Sequence, residues 1–173
     1  EGDASDPFDG VRWTRFAHDT NPALSAHTGL GRNMPLGMAV DNIRAEGDRM
    51  IVDILLGQPL EGHIQRDTTW SGEVVLGGDV VVERGATLTI AGGTTVLFEP
   101  RQDSRQSGFD PGRSELLVLG DLKMEGGGVN FAAAGKRPRA HDWSGIYLLN
   151  GQSLDLEDVR IRHARHDLVR SHL

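Results

Sequence analysis

The sequence contains no cysteine, so disulfide bonds and thiol chemistry take no part in its fold or function. This absence does not assign a compartment, because many bacterial secreted proteins also lack cysteine. Aromatic residues are scarce as well, at 5% of the 173 residues. We therefore expect a core built from valine, leucine and isoleucine.

Long hydrophobic runs and clusters of basic residues are also missing. No stretch approaches the roughly 18 apolar residues that read as a membrane-spanning helix, so we expect no membrane span. The net charge is −7 and no basic stripe stands out, which gives no reason to expect a nucleic-acid partner. No signal peptide is visible at Glu1, and this start is typical of a mature or excised piece.

No complete catalytic centre can be read from the sequence. There is no H-E-x-x-H zinc helix, no P-loop and no G-x-G-x-x-G that follows a strand and opens a helix. Gly126-Gly127-Gly128 follows one predicted strand but precedes another, so we interpret it as a tight corner and not as a phosphate site. We assign no catalytic and no cofactor-binding residues.

Short apolar runs recur in threes from Trp70 onward, and the runs align with steps of 30 to 36 residues. Three short strands in each period are what a coiled β-solenoid needs, because each coil must return the chain one strand spacing above its start. The alignment places in register Val80, Leu116 and Ile146, then Leu88, Leu122 and Leu154, then Val96, Val129 and Val159.

Three further features accompany this period. Two polar insertions, Arg101–Arg113 and Gly135–Asp142, would loop out of the stack, and the tripeptide Trp-Ser-Gly precedes an apolar run at both 70–72 and 143–145. A β-sandwich remains an alternative, because it also has short strands separated by turn signals. The residues predicted to fill the interior are Val80, Val82, Leu88, Ile90, Val96, Leu122, Val129, Leu154, Val159 and Ile161.

The predicted fold is mainly β and has three parts. Residues 1–57 form an irregular segment followed by a β-hairpin whose turn is near Gly47, and residues 58–69 form a linker. Residues 70–173 form about three coils of a parallel β-helix, which we expect to be truncated. Because no closure covers the last coil, we expect self-association through that end.

The last hundred residues resemble bacterial secreted right-handed parallel β-helix proteins. The resemblance rests on DVVVERGATLTIAGGTTVLF at 79–98, SELLVLGDLKMEGGGVNF at 114–131 and WSGIYLLNGQSLDLEDVRIRHA at 143–164. It implies the fold but little about function, because lyases, adhesins and surface proteins share such coils.

The front of the chain is similar to the region after the catalytic helix of immune inhibitor A-like secreted zinc metallopeptidases. GDASDPF at 2–8, Asn21-Pro22 and GMAVDNIRAEGDRMIVDI at 37–54 carry this similarity. The zinc of such peptidases is held by an H-E-x-x-H helix, which this chain lacks, so no catalytic residue is carried over. The similarity implies, at most, that a parent protein is a zinc metallopeptidase.

Two sets of side chains are candidate metal ligands. Asp3, Asp6 and Asp9 could supply oxygen ligands to calcium, although their spacing is not that of an EF-hand. His163 and His166 have an H-x-x-H spacing, but residues three apart on a strand point to opposite faces, so a shared metal would need a turn between them. We expect no other cofactor.

Acidic residues on the coils are the candidates for a carbohydrate-active enzyme, since two carboxylates flank the scissile bond in most glycosidases. They alternate with apolar positions as a solvated outer face does. These candidates are Asp121, Glu125, Asp155, Glu157 and Asp158.

The function expected from the sequence is that of a non-catalytic structural or accessory β-helix portion of a larger secreted or surface bacterial protein. Its partners would be the remainder of the parent polypeptide and a glycan or protein ligand. The alternative is a β-helix polysaccharide lyase or hydrolase, which would require two carboxylates, or a carboxylate and a cation, to converge in a groove.

Overall fold

The computed structural model describes residues 14–16, 25–27, 33–35, 38–56, 59–152, 154 and 158–171. Within these ranges every regular element is a strand, and there is no helix that is long and apolar enough to cross a membrane. The strands are β1 (Ser25–His27), β2 (Asn33–Pro35), β3 (Met38–Glu46), β4 (Arg49–Leu56), β5 (Leu60–Ile64), β6 (Thr68–Trp70), β7 (Glu73–Val82), β8 (Thr87–Ala91), β9 (Thr95–Phe98), β10 (Glu115–Val118), β11 (Asp121–Glu125), β12 (Val129–Ala133), β13 (Trp143–Leu148), β14 (Val159–Ile161) and β15 (Ala164–Arg170).

The prediction of a mainly β chain is confirmed. Eight strands form a sheet that is parallel throughout, nearly closed and barrel-like with a seam. A second sheet has the order β1-β2-β6-β8-β11, and only its β1–β2 pair is antiparallel. Parallel strands need long connections, which explains why the residues that pair lie 16 to 36 positions apart in the sequence.

The parallel strands fall into three stacks that the chain visits in a repeating order. The first stack contains β5, residues 80–82 of β7, β10, β13 and β15. The second contains β6, β8 and β11, and the third contains residues 73–76 of β7, β9, β12 and β14. The single strand β7 therefore joins the third stack to the first.

The predicted register is confirmed throughout the first stack, for Leu88 with Leu122 in the second and for Val129 with Val159 in the third, and one pairing in the third stack is wrong. Val80 pairs with Leu116 and Leu116 with Ile146, and Leu88 pairs with Leu122, as the apolar alignment predicts. Val96, however, pairs with Phe131 and not with Val129. A two-residue offset keeps the same side chains on the inner face, because side chains alternate along a strand with a period of two.

The core lies between the three stacks and is mostly aliphatic. Eight of the ten residues predicted to fill the interior are buried. The other two, Val159 and Ile161, are partly buried against the same cluster. Two tryptophans, Trp70 and Trp143, are also fully buried, and Trp143 stacks on Phe98 with a ring-centroid distance of 3.8 Å.

In the second stack, the strand predicted around Leu154 is replaced by hydrogen bonds from the side chain of Gln152. Leu154 is buried, but β11 has no strand partner on that side within the described residues. The side-chain amide of Gln152 takes the place of a strand: its Oε1 accepts from the backbone N–H of Leu122 at 2.8 Å, and its Nε2 donates to the Leu122 carbonyl at 2.7 Å. The backbone groups of Leu122 are thus satisfied without another strand.

The front half of the described chain confirms one expectation and corrects another. β3 and β4 form the predicted antiparallel hairpin, with Gly47 at positive φ in its turn. The stretch 58–69, predicted to be a linker, contains β5 and the first two residues of β6, and these strands pair in parallel with β7 and β8. This stretch is therefore part of the sheets. The division into separate domains stays a prediction.

Candidate functional site

Two acidic side chains lie next to each other on the outer face of the first stack. In β7 and β10 the side chains of Val80 and Leu116 belong to the core, so the residues just before them, Asp79 and Glu115, lie on the opposite side of the strands. An outer face is normally solvated, yet both residues are 0% exposed. Something must therefore cover them.

The insertion Arg101–Arg113 provides this cover and donates hydrogen bonds to both carboxylates. Asp79 Oδ2 accepts from the backbone N–H and the hydroxyl of Ser107, at 2.8 and 3.0 Å. Glu115 accepts from the backbone N–H groups of Phe109 and Asp110, at 2.7 and 2.8 Å. We call Asp79, Glu115 and the segment 103–110 the carboxylate clasp.

Gly108 permits the close approach of the loop to the strand. A Cβ atom at this position would clash with the carboxylate of Glu115. Asp79 Oδ1 also accepts from the backbone N–H of Glu115 at 2.9 Å, so one carboxylate of the clasp fixes the start of the next strand. The clasp thus ties the insertion to two strands of the first stack.

Burial raises the pKa of Asp79 above its ordinary value, and the nearby carboxylate of Asp103 raises it further, whereas the hydrogen bonds from Ser107 and Glu115 act in the opposite direction. Asp103 is itself buried, and its Oδ1 accepts from the backbone N–H of Arg105 at 3.0 Å. Its Oδ2 has no hydrogen-bond partner among the described residues.

Burial also raises the pKa of Glu115, against hydrogen bonds from Phe109, Ser144 and Asp110. The hydroxyl of Ser144 lies 2.9 Å from that of Tyr147, which extends the network to β13. The pKa of Tyr147 is raised as well, first by burial and then by the charges of Glu115 and Asp110. Tyr147 therefore stays a neutral phenol at physiological pH.

The outer rim of the clasp carries charge and one exposed ring. Although burial alone would raise the pKa of Asp110, hydrogen bonds from Gly112, Arg165 and Arg113 hold it below its ordinary value. Both guanidinium groups lie 3.0 Å from Asp110 Oδ2. Phe109 is 58% exposed, and its ring centroid lies 4.9 Å from that of the buried Tyr147.

The two predicted histidine ligands occupy different positions at the start of β15. His163 lies at positive φ in the turn before β15, whereas His166 is exposed within β15, where its ring meets the edge of Tyr147. In the part of the chain that the structure describes, no group of three or more His, Cys, Asp or Glu side chains could hold a metal ion. Asp3, Asp6 and Asp9 lie outside the described residues.

The coil carboxylates proposed from sequence lie away from the clasp. Asp121 and Glu125 are exposed on β11 of the second stack, and Asp158 is exposed at positive φ in a turn before β14. Asp155 and Glu157 lie outside the described residues.

Sequence reasoning missed Asp79 and Glu115, although a signal was present. Each is the acidic residue immediately before an apolar run, and the two runs are aligned with a step of 36 residues. Two charges at the same position of successive repeats predict neighbouring carboxylates in a parallel stack. Gly145 follows at the same position of β13, where a Cβ atom would clash with the backbone carbonyl of His166.

Comparisons with protein families, with curated proteins and with solved structures found no match to the chain.

Proposed function

We propose that this chain is a non-catalytic structural or accessory portion of a larger secreted or surface bacterial protein, folded as a right-handed parallel β-helix. The repeated visit to three parallel stacks supports the β-helix, because a sandwich would pair consecutive strands as antiparallel hairpins. β5, β6 and residues 73–76 of β7 would form a first coil, one earlier than the repeat in the sequence indicates.

The observation that carries the non-catalytic role is that every carboxylate oxygen of Asp79 and Glu115 already accepts a hydrogen bond. A general acid or base must reach its substrate, but Asp79 and Glu115 are fully buried, and their oxygens accept hydrogen bonds from the insertion and from β10. Such contacts hold a loop in place. The two carboxylates therefore serve to attach the insertion to the stack.

A carbohydrate-active enzyme is the second candidate, and one observation favours it. A carboxyl group whose pKa is raised, beside a second carboxylate, is what a general acid of a glycosidase needs. Asp79 and Glu115 would take these roles only if the insertion moved away and opened a groove above them.

The experiment that separates the two candidates is a turnover assay. The chain is incubated with casein, polygalacturonate and neutral glucans, and new amino groups, reducing ends and unsaturated uronates are measured. We expect no product from any polymer. Turnover that Glu115→Gln or Asp79→Asn abolishes, and that the exposed-site control Lys123→Gln leaves intact, would establish the enzyme and refute the proposal.

The parent protein and its location are proposed on the sequence resemblances alone. A secreted zinc metallopeptidase would place an H-E-x-x-H helix upstream of this chain in the same reading frame. Sequencing of that reading frame tests the assignment, and a frame without such a helix would remove the peptidase. Self-association through the last coil also stays a prediction.

A further inference from the structure

The second insertion presents a local excess of positive charge on an otherwise acidic chain. Lys136, Arg137 and Arg139 are all exposed, and none of their side chains pairs with a carboxylate among the described residues. Arg101 and Arg113 bond to residues of the same insertion, and Arg165 shares the carboxylate of Asp110 with Arg113. We define the basic patch as Lys136, Arg137, Arg139, Arg101, Arg113 and Arg165.

Hydrogen bonds fix this insertion to its neighbours. The buried carboxylate of Asp142 accepts from the backbone N–H of Arg139 at 2.6 Å and from Arg101 Nε at 3.2 Å. Arg113, which belongs to the first insertion, donates from Nε to the carbonyl of His141 at 2.7 Å. The contacts of Arg113 with His141 and of Arg101 with Asp142 thus join the two insertions.

The exposed charge of this surface is opposite in sign to that of the chain as a whole. Three of the six cations pair with carboxylates, Arg101 with Asp142 and both Arg113 and Arg165 with Asp110. The other three, Lys136, Arg137 and Arg139, are exposed and have no carboxylate partner among the described residues, whereas the whole chain carries −7. A ligand that bears negative charge is therefore attracted to these three side chains.

An exposed aromatic ring borders the basic patch. Phe109 precedes Asp110, the carboxylate that links Arg113 and Arg165, and 58% of Phe109 is exposed. Its position over Tyr147 supports the ring from below. An apolar face beside several guanidinium groups suits a ligand that alternates ring faces with anionic groups.

We propose that the basic patch and Phe109 bind an acidic polysaccharide, a polymer of uronic acids. The arginines would pair with the sugar carboxylates in the planar, two-point geometry that guanidinium groups favour, and Phe109 would pack on a sugar ring. This inference rests on the proposed accessory function and names its ligand class. Nucleic acid fits less well, because its closely spaced phosphates would meet the acidic remainder of the chain, and Phe109 is the only strongly exposed aromatic ring in the described part.

Binding of defined polygalacturonate oligosaccharides, measured by titration calorimetry at low and moderate salt, tests the proposal. Wild type should bind, and the affinity should fall as salt rises, because exposed charges are screened. The variant Lys136→Glu/Arg137→Glu/Arg139→Glu should bind roughly tenfold more weakly or not at all. Phe109→Ala should weaken binding while leaving the salt dependence unchanged.

The matched control is Arg49→Glu/Arg84→Glu/Lys123→Glu, which reverses three exposed cations outside the patch and should bind almost as wild type does. Circular dichroism confirms that each variant is folded. Absence of binding by folded wild type, or equal losses in patch and control variants, would overturn the proposal. So would tighter binding of single-stranded DNA or polyglutamate than of polygalacturonate. These outcomes are independent of the turnover assay, so failure of the ligand assignment leaves the non-catalytic role intact.

Discussion

Asp79 and Glu115 stand at the same position of two successive repeats, and the carboxylate of Asp79 accepts a hydrogen bond of 2.9 Å from the backbone N–H of Glu115. Each carboxylate also binds backbone N–H groups of the insertion. Two charges that would repel each other in water are thus held side by side under a loop. Their burial raises the pKa of both groups, which makes the clasp sensitive to pH.

The clasp should stabilise the chain less as pH rises from acid to neutral. In the unfolded chain these carboxyls ionise near 3.8 and 4.5, whereas in the folded chain the pKa of each is raised. Their contribution is therefore complete below the unfolded values and is lost as pH rises through the folded ones. We compare the free energy of unfolding of wild type with that of Asp79→Asn/Glu115→Gln. The value for wild type minus the value for the variant should decrease as pH rises from 4 toward neutrality.

Urea unfolding at a series of pH values gives this difference. Subtraction of the variant removes the effects of other carboxylates, including Asp110, whose lowered pKa acts in the opposite direction. A difference that increases with pH would mean that the clasp favours the ionised carboxylates, contrary to the account.

Truncation of a core residue should be costly in the second stack. Leu122 is 1% exposed and lies in register with Leu88, so Leu122→Ala should lower the free energy of unfolding by about 2–5 kcal/mol through lost burial and a cavity. The exposed neighbour Lys123→Ala should change it by about 0.5 kcal/mol or less. Denaturant unfolding that shows similar small losses for both variants would be inconsistent with this register.

The side chain of Gln152 should act as a substitute for a strand. Gln152→Ala removes the donor and the acceptor that satisfy the backbone of Leu122 and should destabilise the chain by about 1–3 kcal/mol. Gln152→Glu retains the acceptor but loses the donor. The free energy of unfolding that this variant loses should be smaller at low pH than at neutral pH, because the protonated carboxyl can donate. Hydrogen exchange of the Leu122 amide provides a local readout, and unchanged protection in Gln152→Ala would contradict this role.

A glycine at the junction of β10 and β11 should tolerate no side chain. At Gly120 a Cβ atom would clash with the backbone carbonyl oxygens of Glu83 and Ala86, which belong to the preceding repeat. Gly120→Ala should therefore lower the thermal unfolding midpoint clearly. The control Gly112→Ala meets only the side chain of Asp110, at an ordinary 3.6 Å, and should have little effect. Equal midpoints for the two variants would show that the repeats are not packed this closely.

The sequence predicts the strands well where an apolar run has a unique position. The run that begins at Val80 aligns with those at Leu116 and Ile146, and the structure has the same register. The third stack offers less information, because Val129 and Phe131 are both apolar and lie on the same face. The hydrophobic pattern cannot distinguish two registers that differ by two residues.

The repeated tripeptide Trp-Ser-Gly shows a different limit. Trp70 lies in the second stack, whereas Trp143 begins a strand of the first, so the two copies do not occupy equivalent positions. Both rings are buried all the same. A buried tryptophan can thus occur in either stack, and a match of three residues does not predict which stack it belongs to.

The clasp could be predicted only in part. The aligned positions of Asp79 and Glu115 indicate two neighbouring carboxylates, but their partners are mainly backbone N–H groups of the insertion. Backbone groups have the same chemistry at every non-proline residue, so no residue type in 103–110 marks them. The basic patch was missed for a related reason: it joins two insertions that are separated in the sequence.

The most direct test of the account is a disulfide cross-link between successive repeats. Thr89 and Lys123 pair across β8 and β11, 34 residues apart, and the chain has no cysteine to interfere. Thr89→Cys/Lys123→Cys should form an intramolecular disulfide under mild oxidation, because paired positions on neighbouring strands have Cα atoms within the roughly 4.4–6.8 Å that a disulfide requires. In Thr89→Cys/Glu125→Cys the offset of two residues places the Cα atoms beyond that range, and no cross-link should form. Peptide mapping that finds the first disulfide and not the second supports parallel stacking in this register, whereas the absence of the first, or equal yields of both, would contradict it.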